Sequence, residues 1–226
     1  MFQLDLLLAF LGGVLPALIW LFFWLMEDRC EPEPKRFIFY SFVAGMCAVA
    51  PALFFEWHAK LYFTGTGLLL SWALIEEVVK FGAAYLVALR FYVYDEPLDA
   101  VVYLVTAALG FSALENALFL WTPISAGDAL RSVVTGDLRF MGASMLHCLT
   151  SATVGLSLAF AFYKSPGERR FAAATGLILA IALHTLFNFF ILNDGSETLW
   201  VFVSIWFGTI ALLLMTERTK LSKDYC

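Results

Sequence analysis

The chain has 226 residues, of which 62% are hydrophobic, 17% aromatic and only 15% charged, and its net charge is −5. A soluble domain carries about 25% charged and 45–50% apolar residues, and one of this size still leaves about a quarter to a third of its surface in water, so a soluble enzyme is excluded. The same apolarity excludes disorder, and the acidic balance without a basic stripe excludes a nucleic-acid partner. What remains is a polytopic membrane protein whose solvent is the lipid bilayer.

In chain order, seven apolar runs are long enough to cross about 30 Å of hydrocarbon as helices. The pattern predicts spans at 4–26, 37–57, 67–91, 98–120, 140–163, 171–192 and 198–216. The first lacks any Lys or Arg before Arg29 and is too long for a signal peptide, so it reads as a true span. Glu31-Pro32-Glu33-Pro34 ends it; Asp95-Glu96-Pro97 follows the third span, Ser165-Pro166-Gly167 the fifth and Asn193-Asp194-Gly195 the sixth. The longest connection, about 121–139, reads as a loop. No repeat or soluble domain is visible, so residues 1–226 form one domain, with a motif-bearing core at about 67–192. The cysteines show no metal-type spacing; Cys47 and Cys148 read as small buried hydrophobes, while Cys30 and Cys226 fall outside the spans.

Positive charge orients the bundle. With alternate loops on opposite sides, ten cations share one side (Arg29, Lys35, Arg36, Arg90, Lys164, Arg169, Arg170, Arg218, Lys220 and Lys223) and three the other (Lys60, Arg131 and Arg139). The cation-rich side is the cytoplasmic one, which predicts an all-α bundle of about seven spans, N-terminus outside and C-terminus inside.

Several ionisable residues lie where apolar ones belong. Span 3 carries Glu76, Glu77 and Lys80; span 4 carries Glu115 and Asn116; span 5 carries His147; span 6 carries His184 and Asn188. A charge at membrane depth costs at least about 2.5–3.5 kcal/mol and needs a partner or a task. Lys80 is spaced to reach back to Glu76 or Glu77, and His184 shares a face with Asn188. One cation beside two carboxylates leaves one carboxylate available as a base. With helices read in alternating directions, Glu76, Glu115, His147 and His184 all fall roughly 8–15 Å below the outer ends of their helices. Asp99 reads as an interfacial charge or helix cap and His58 as a solvated residue.

Such a layer can activate water in two ways. Two His with one or two Glu can hold zinc while another Glu takes the proton. Alternatively, paired glutamates act without metal, and His184 with Asn188 stabilises the oxyanion. Serine chemistry is not favoured: Ala113 stands where a rhomboid-like G-x-S-G needs Gly.

Glu76-Glu77-x-x-Lys80, Phe111-x-x-x-Glu115-Asn116, His147 and His184-x-x-x-Asn188, each on its own span, resemble the PrsW family of bacterial membrane proteases, itself similar to the wider CAAX- and bacteriocin-processing membrane proteases. The resemblance covers about residues 70–190. It implies an intramembrane protease of the bacterial inner or plasma membrane, whose catalytic set is Glu76, Glu77, Glu115, His147 and His184. Asn188 supports that set, together with Lys80 and Asn116. It implies cleavage of a single-span substrate such as an anti-sigma factor at its extracytoplasmic side. CAAX-type relatives have Arg after the glutamate pair and His in place of Glu115. Their Glu–His mechanism therefore does not transfer unchanged, and the two-His, carboxylate-rich set suits zinc on His147, His184 and Glu115. The metal-free glutamate route is the alternative. A proton-coupled transporter or a non-catalytic membrane binding protein is the competing function, although no helix-breaking Gly or Pro interrupts the motif stretches.

Overall fold

The computed structural model describes residues 2–26, 31–192 and 198–219. Arg29, Cys30, the Asn193-Asp194-Gly195 turn, Lys220, Lys223 and Cys226 lie outside them. The order is α1 (Phe2–Leu25), α2 (Lys35–Ala59), α3 (Gly65–Ala84), α4 (Asp99–Ser125), α5 (Ala129–Leu138), α6 (Ser144–Phe160), α7 (Pro166–Leu192) and α8 (Thr198–Thr216). A π-helical turn at Tyr85–Leu89 extends α3, and another at Arg139–Ala143 joins α5 to α6. No strand occurs among the described residues, so the expected all-α bundle is what forms.

Six helical runs are long and apolar enough to cross a membrane, α5 through α6 counting as one. The seventh expected span, 67–91, is α3 with its π turn; Glu76, Glu77 and Lys80 dilute its apolarity. The helix least suited to lipid is thus the one with Glu76, Glu77 and Lys80 in its interior, and it is packed between α2 and α7.

Helix α4 is the axis. Every residue from Asp99 to Ala113 is buried, as expected for a helix apolar on all sides, and α1, α2 and α6 pack around it. Lipid tails are as apolar as leucine, so close backbone approach, rather than escape from water, holds such helices together. The approach is tightest at α2–α4: a Cβ on Gly45 would lie 1.9 Å from the Ala107 carbonyl oxygen, and one on Gly110 1.9 Å from that of Phe42. Helix α7 lies against α6 and α3, and α8 against α6.

Contacts between connections show that alternate loops do gather at opposite ends. At one end Tyr103 donates to Glu33, and Arg169 lies over the Tyr94 ring. At the other, Phe2 meets Trp121 and Trp72 donates to the Glu56 carbonyl.

Three local expectations change. The 121–139 segment is largely helical. Asp128 accepts from the Arg131 backbone N–H at 2.9 Å and starts α5, after Gly127 turns the chain at φ 71°. Asp99 is buried, and its Oδ2 accepts from the backbone N–H groups of Asp95 and Glu96, both at 2.8 Å. It therefore caps the turn before α4, not the helix. Cys148 is buried as expected, whereas Cys47 is on the exposed face of α2, where hydrocarbon suits a thiol as well as a core does.

Candidate active site

Four helices deliver the ionisable layer to one end of the bundle. The glutamate pair lies just past the middle of α3, Glu115 ten residues before the end of α4, His147 in the first turn of α6 and His184 eight residues before the end of α7. Antiparallel neighbours reverse direction, and at these positions the four helices meet at one level. Glu76, Glu77, Lys80, Asn116, His147 and His184 are all buried.

Glu77 is the anchor. Its Oε1 accepts from Lys80 Nζ at 2.6 Å and from His184 Nδ1 at 2.7 Å. An ionised carboxylate only accepts, so His184 Nδ1 carries a proton. Its Nε2 faces Glu76 Oε2 at 3.8 Å, and Glu76 Oε2 is buried without a hydrogen-bond partner. The two atoms face one another across a gap too long for a hydrogen bond.

A second string runs through His147. Lys80 has only donors. Its 2.9 Å contact with His147 Nδ1 makes that nitrogen an acceptor and puts the ring proton on Nε2, which donates to Glu115 Oε2 at 3.2 Å. Arg139, from the π turn before α6, donates to Glu115 Oε2 and to Asn116 Oδ1. Asn116 Nδ2 donates in turn to Ser112 Oγ and Ser144 Oγ, at 3.2 and 3.0 Å. The two serines are thereby tied to each other and to an amide, with no imidazole on either. Phe111 packs its ring 5.6 Å from Lys80 Nζ and 5.6 Å from the His147 ring. The two imidazole rings are 5.4 Å apart. Asn188 is half-buried one turn beyond His184 and makes no hydrogen bond among the described residues.

Glu76, His147 and His184 each offer a ligand atom, all within 4.8 Å of one another. Two atoms held by one zinc at about 2.0–2.2 Å lie roughly 3–4 Å apart, so the Glu76–His184 gap suits a cation. The orphaned Glu76 oxygen and the carboxylate behind His184 are what a metal site requires; a ligating His commonly donates its other N–H to a carboxylate. His147 joins only by exchanging Lys80 or Glu115 for the metal. The geometric triad therefore has Glu76 where Glu115 was expected, because Arg139 already engages Glu115.

Two participants escape a reading of the sequence. Arg139 looks like a loop charge, although its spacing of eight from His147 puts both on one helix face. Glu56, near the end of α2, interacts electrostatically with both Glu76 and Glu115; its place at a span end gives no hint of this.

Among known proteins, the profile of the PrsW family intramembrane metalloproteases matches residues 33–215. Protease PrsW of Geobacillus kaustophilus (strain HTA426) is 28% identical over 185 residues, covering 80% of this chain and 78% of that protein. Protease PrsW of Bacillus subtilis (strain 168) is 26% identical over 208 residues, covering 87% and 90%. Protease PrsW of Clostridioides difficile (strain 630) is 26% identical over 203 residues, covering 85% and 81%. No solved structure matches significantly.

Proposed function

This chain belongs to the PrsW family of intramembrane metalloproteases, and from that premise we propose that it cuts a single-span, anti-sigma-factor-like membrane protein at its extracytoplasmic side, in a bacterial plasma membrane. The observation that carries the reading is the buried, unpartnered Glu76 Oε2 facing His184 Nε2 at 3.8 Å. It is an open coordination edge beside a second imidazole.

Zinc is the proposed cofactor, with Glu76, His147 and His184 as its holders. When bound it would supply an acidified water and polarise the scissile carbonyl. The chain's own groups do the rest. Glu77 fixes the His184 tautomer and ring plane. Lys80 balances the Glu77 charge. Glu115, whose side chain is 18% exposed and so nearest to water, takes the proton of the attacking water and returns it to the leaving amine. Asn188 lies on the His184 face and steadies the oxyanion.

Location supports the external cut. The layer lies toward the bundle end that carries Lys60, Arg131 and Arg139, the cation-poor side. A substrate helix must unwind before its carbonyl can be attacked, and this is least costly near an interface. The test is cleavage of single-span substrates by purified protein, with and without a chelator, and mass spectrometry of the fragments. A scissile bond at the cytoplasmic end, or labelling that places Lys164 outside, overturns the proposal.

A further inference from the structure

A second cleft, of about 360 Å³, opens at the far end of the bundle from the catalytic layer. Phe81, Tyr85 and Leu89 of α3 and its π turn, together with Leu158 of α6 and Ala173 of α7, form an apolar wall. Arg169 and Arg170, in the first turns of α7, stand at its mouth with Tyr94.

Three features specify a ligand. First, neither arginine forms a salt bridge with a carboxylate among the described residues; the neighbouring Glu168 accepts instead from Ser165. Second, the Arg169 guanidinium is preorganised over two rings, 5.4 Å from the Tyr94 centroid and 5.7 Å from that of Phe162. Third, the Tyr94 hydroxyl is buried without an acceptor for its proton. Two guanidinium groups and one phenol whose proton has no acceptor call for an oxyanion, since Arg presents forked donors matched to phosphate. The wall beneath them calls for hydrocarbon. The cleft lies where α3 and α6 end and α7 begins, and half-exposed Tyr85 (48%) and Leu86 (54%) flank it.

We propose that this cleft binds an anionic phospholipid, with its phosphate on Arg169, Arg170 and Tyr94 and an acyl chain along Phe81, Tyr85 and Ala173. A basic pocket between membrane helices is a recurrent headgroup site, and here charge complementarity and the apolar wall select the same molecule. Phe81 follows Lys80 directly, so an acyl chain in the cleft braces the helix that carries Glu76 and Glu77.

The test is native mass spectrometry of the full-length protein in detergent, titrated with phosphatidylglycerol or with phosphatidylcholine of the same chains. The unaltered protein should retain phosphatidylglycerol in preference. Arg170→Gln should weaken that binding about fivefold and Arg169→Gln/Arg170→Gln about thirtyfold, at about fivefold per near-surface cation; phosphatidylcholine binding and an Arg131→Gln control should not change. Arg170 is exposed, so its single variant keeps the test valid if loss of the Arg169 stack disturbs folding. Equal retention of the two lipids, or unchanged phosphatidylglycerol binding in both variants, overturns the proposal. So does inorganic phosphate binding to delipidated protein with the same arginine dependence and no contribution from the chains.

Discussion

Adjacent glutamates that look equivalent in sequence are predicted to fail in different ways. Glu77 Oε1 accepts from two buried donors, Lys80 Nζ at 2.6 Å and His184 Nδ1 at 2.7 Å, and Lys80 is only 1% exposed. Glu77→Gln keeps an acceptor for that ammonium but removes the negative charge that balances it. Breaking a buried pair by removing one member costs about 3–5 kcal/mol. Glu76→Gln breaks no hydrogen bond at Oε2 and removes an uncompensated charge, so its cost is under about 1 kcal/mol. Both variants lose cleavage: Glu76 as part of the open edge, Glu77 through the orientation of His184, worth about 10–100-fold. Pairing Glu77→Gln with Lys80→Met removes both halves of the ion pair. It should recover about 2–3 kcal/mol of the loss, as a coupled pair does, without restoring activity. The assay is the unfolding free energy of purified protein alongside cleavage of a single-span substrate. Equal destabilisation by the two Gln variants, or strict additivity of Glu77→Gln with Lys80→Met, would refute the assignment of Glu77 as anchor and Glu76 as open edge.

Purified protein should carry about one zinc per chain and lose activity in a strong chelator; Glu76→Ala and His184→Ala should each lower metal content in elemental analysis, and a fully active metal-free preparation would count against the site. Gly110→Ala places a methyl group against the Phe42 carbonyl and should destabilise the bundle by about 1–3 kcal/mol, whereas Gly82→Ala, which meets nothing within 4 Å, should be nearly neutral in the same unfolding measurement. Arg139→Gln leaves Glu115 without its cation and should slow cleavage more than it weakens substrate binding, seen as a fall in kcat with KM little changed. A change confined to KM would place Arg139 in substrate docking instead.

Much of the site was legible because lipid makes ionisable residues conspicuous. Glu76, Glu77, Lys80, Glu115, His147 and His184 stand out in apolar runs, and alternating helix directions bring them to one layer without any coordinates. Which glutamate faces which partner was not legible. Successive residues on a helix point about 100° apart, and only the packing of α3 against α7 decides that Glu77, not Glu76, takes His184. The spacing let Lys80 reach either glutamate; its added bond to His147, 67 positions away, depends on the α3–α6 contact alone. Residues at span ends are harder to read for a related reason. Arg139 sits where charge is unremarkable, so hydropathy assigns it to the interface although it bonds Glu115 and Asn116. Helix α5 reads as a loop in the sequence because of Gly127 and Gly136; the opposing signal is Asp128, a helix-starting residue whose carboxylate accepts from the Arg131 backbone N–H.

The charges of the layer bear on why it should hold a cation at all. His147 accepts from Lys80 and is neutral. With His184 in the same form, Lys80 answers Glu77 and Arg139 answers Glu115. Glu76 is left as the third carboxylate against two cations, and Glu56 adds to the same side of the balance. The unanswered charge falls on the residue whose buried oxygen has no donor. An isolated carboxylate in a low-dielectric interior is among the costliest groups a protein can bury, so a proton or a metal ion must complete the site. A proton on Glu76 Oε2 would be shared with His184 Nε2, and a divalent cation would take the same two atoms. A ligating imidazole commonly donates its other N–H to a carboxylate, and Glu77 stands in that place behind His184; a metal at this edge therefore predicts that Glu77→Gln lowers metal affinity although Glu77 never touches the ion.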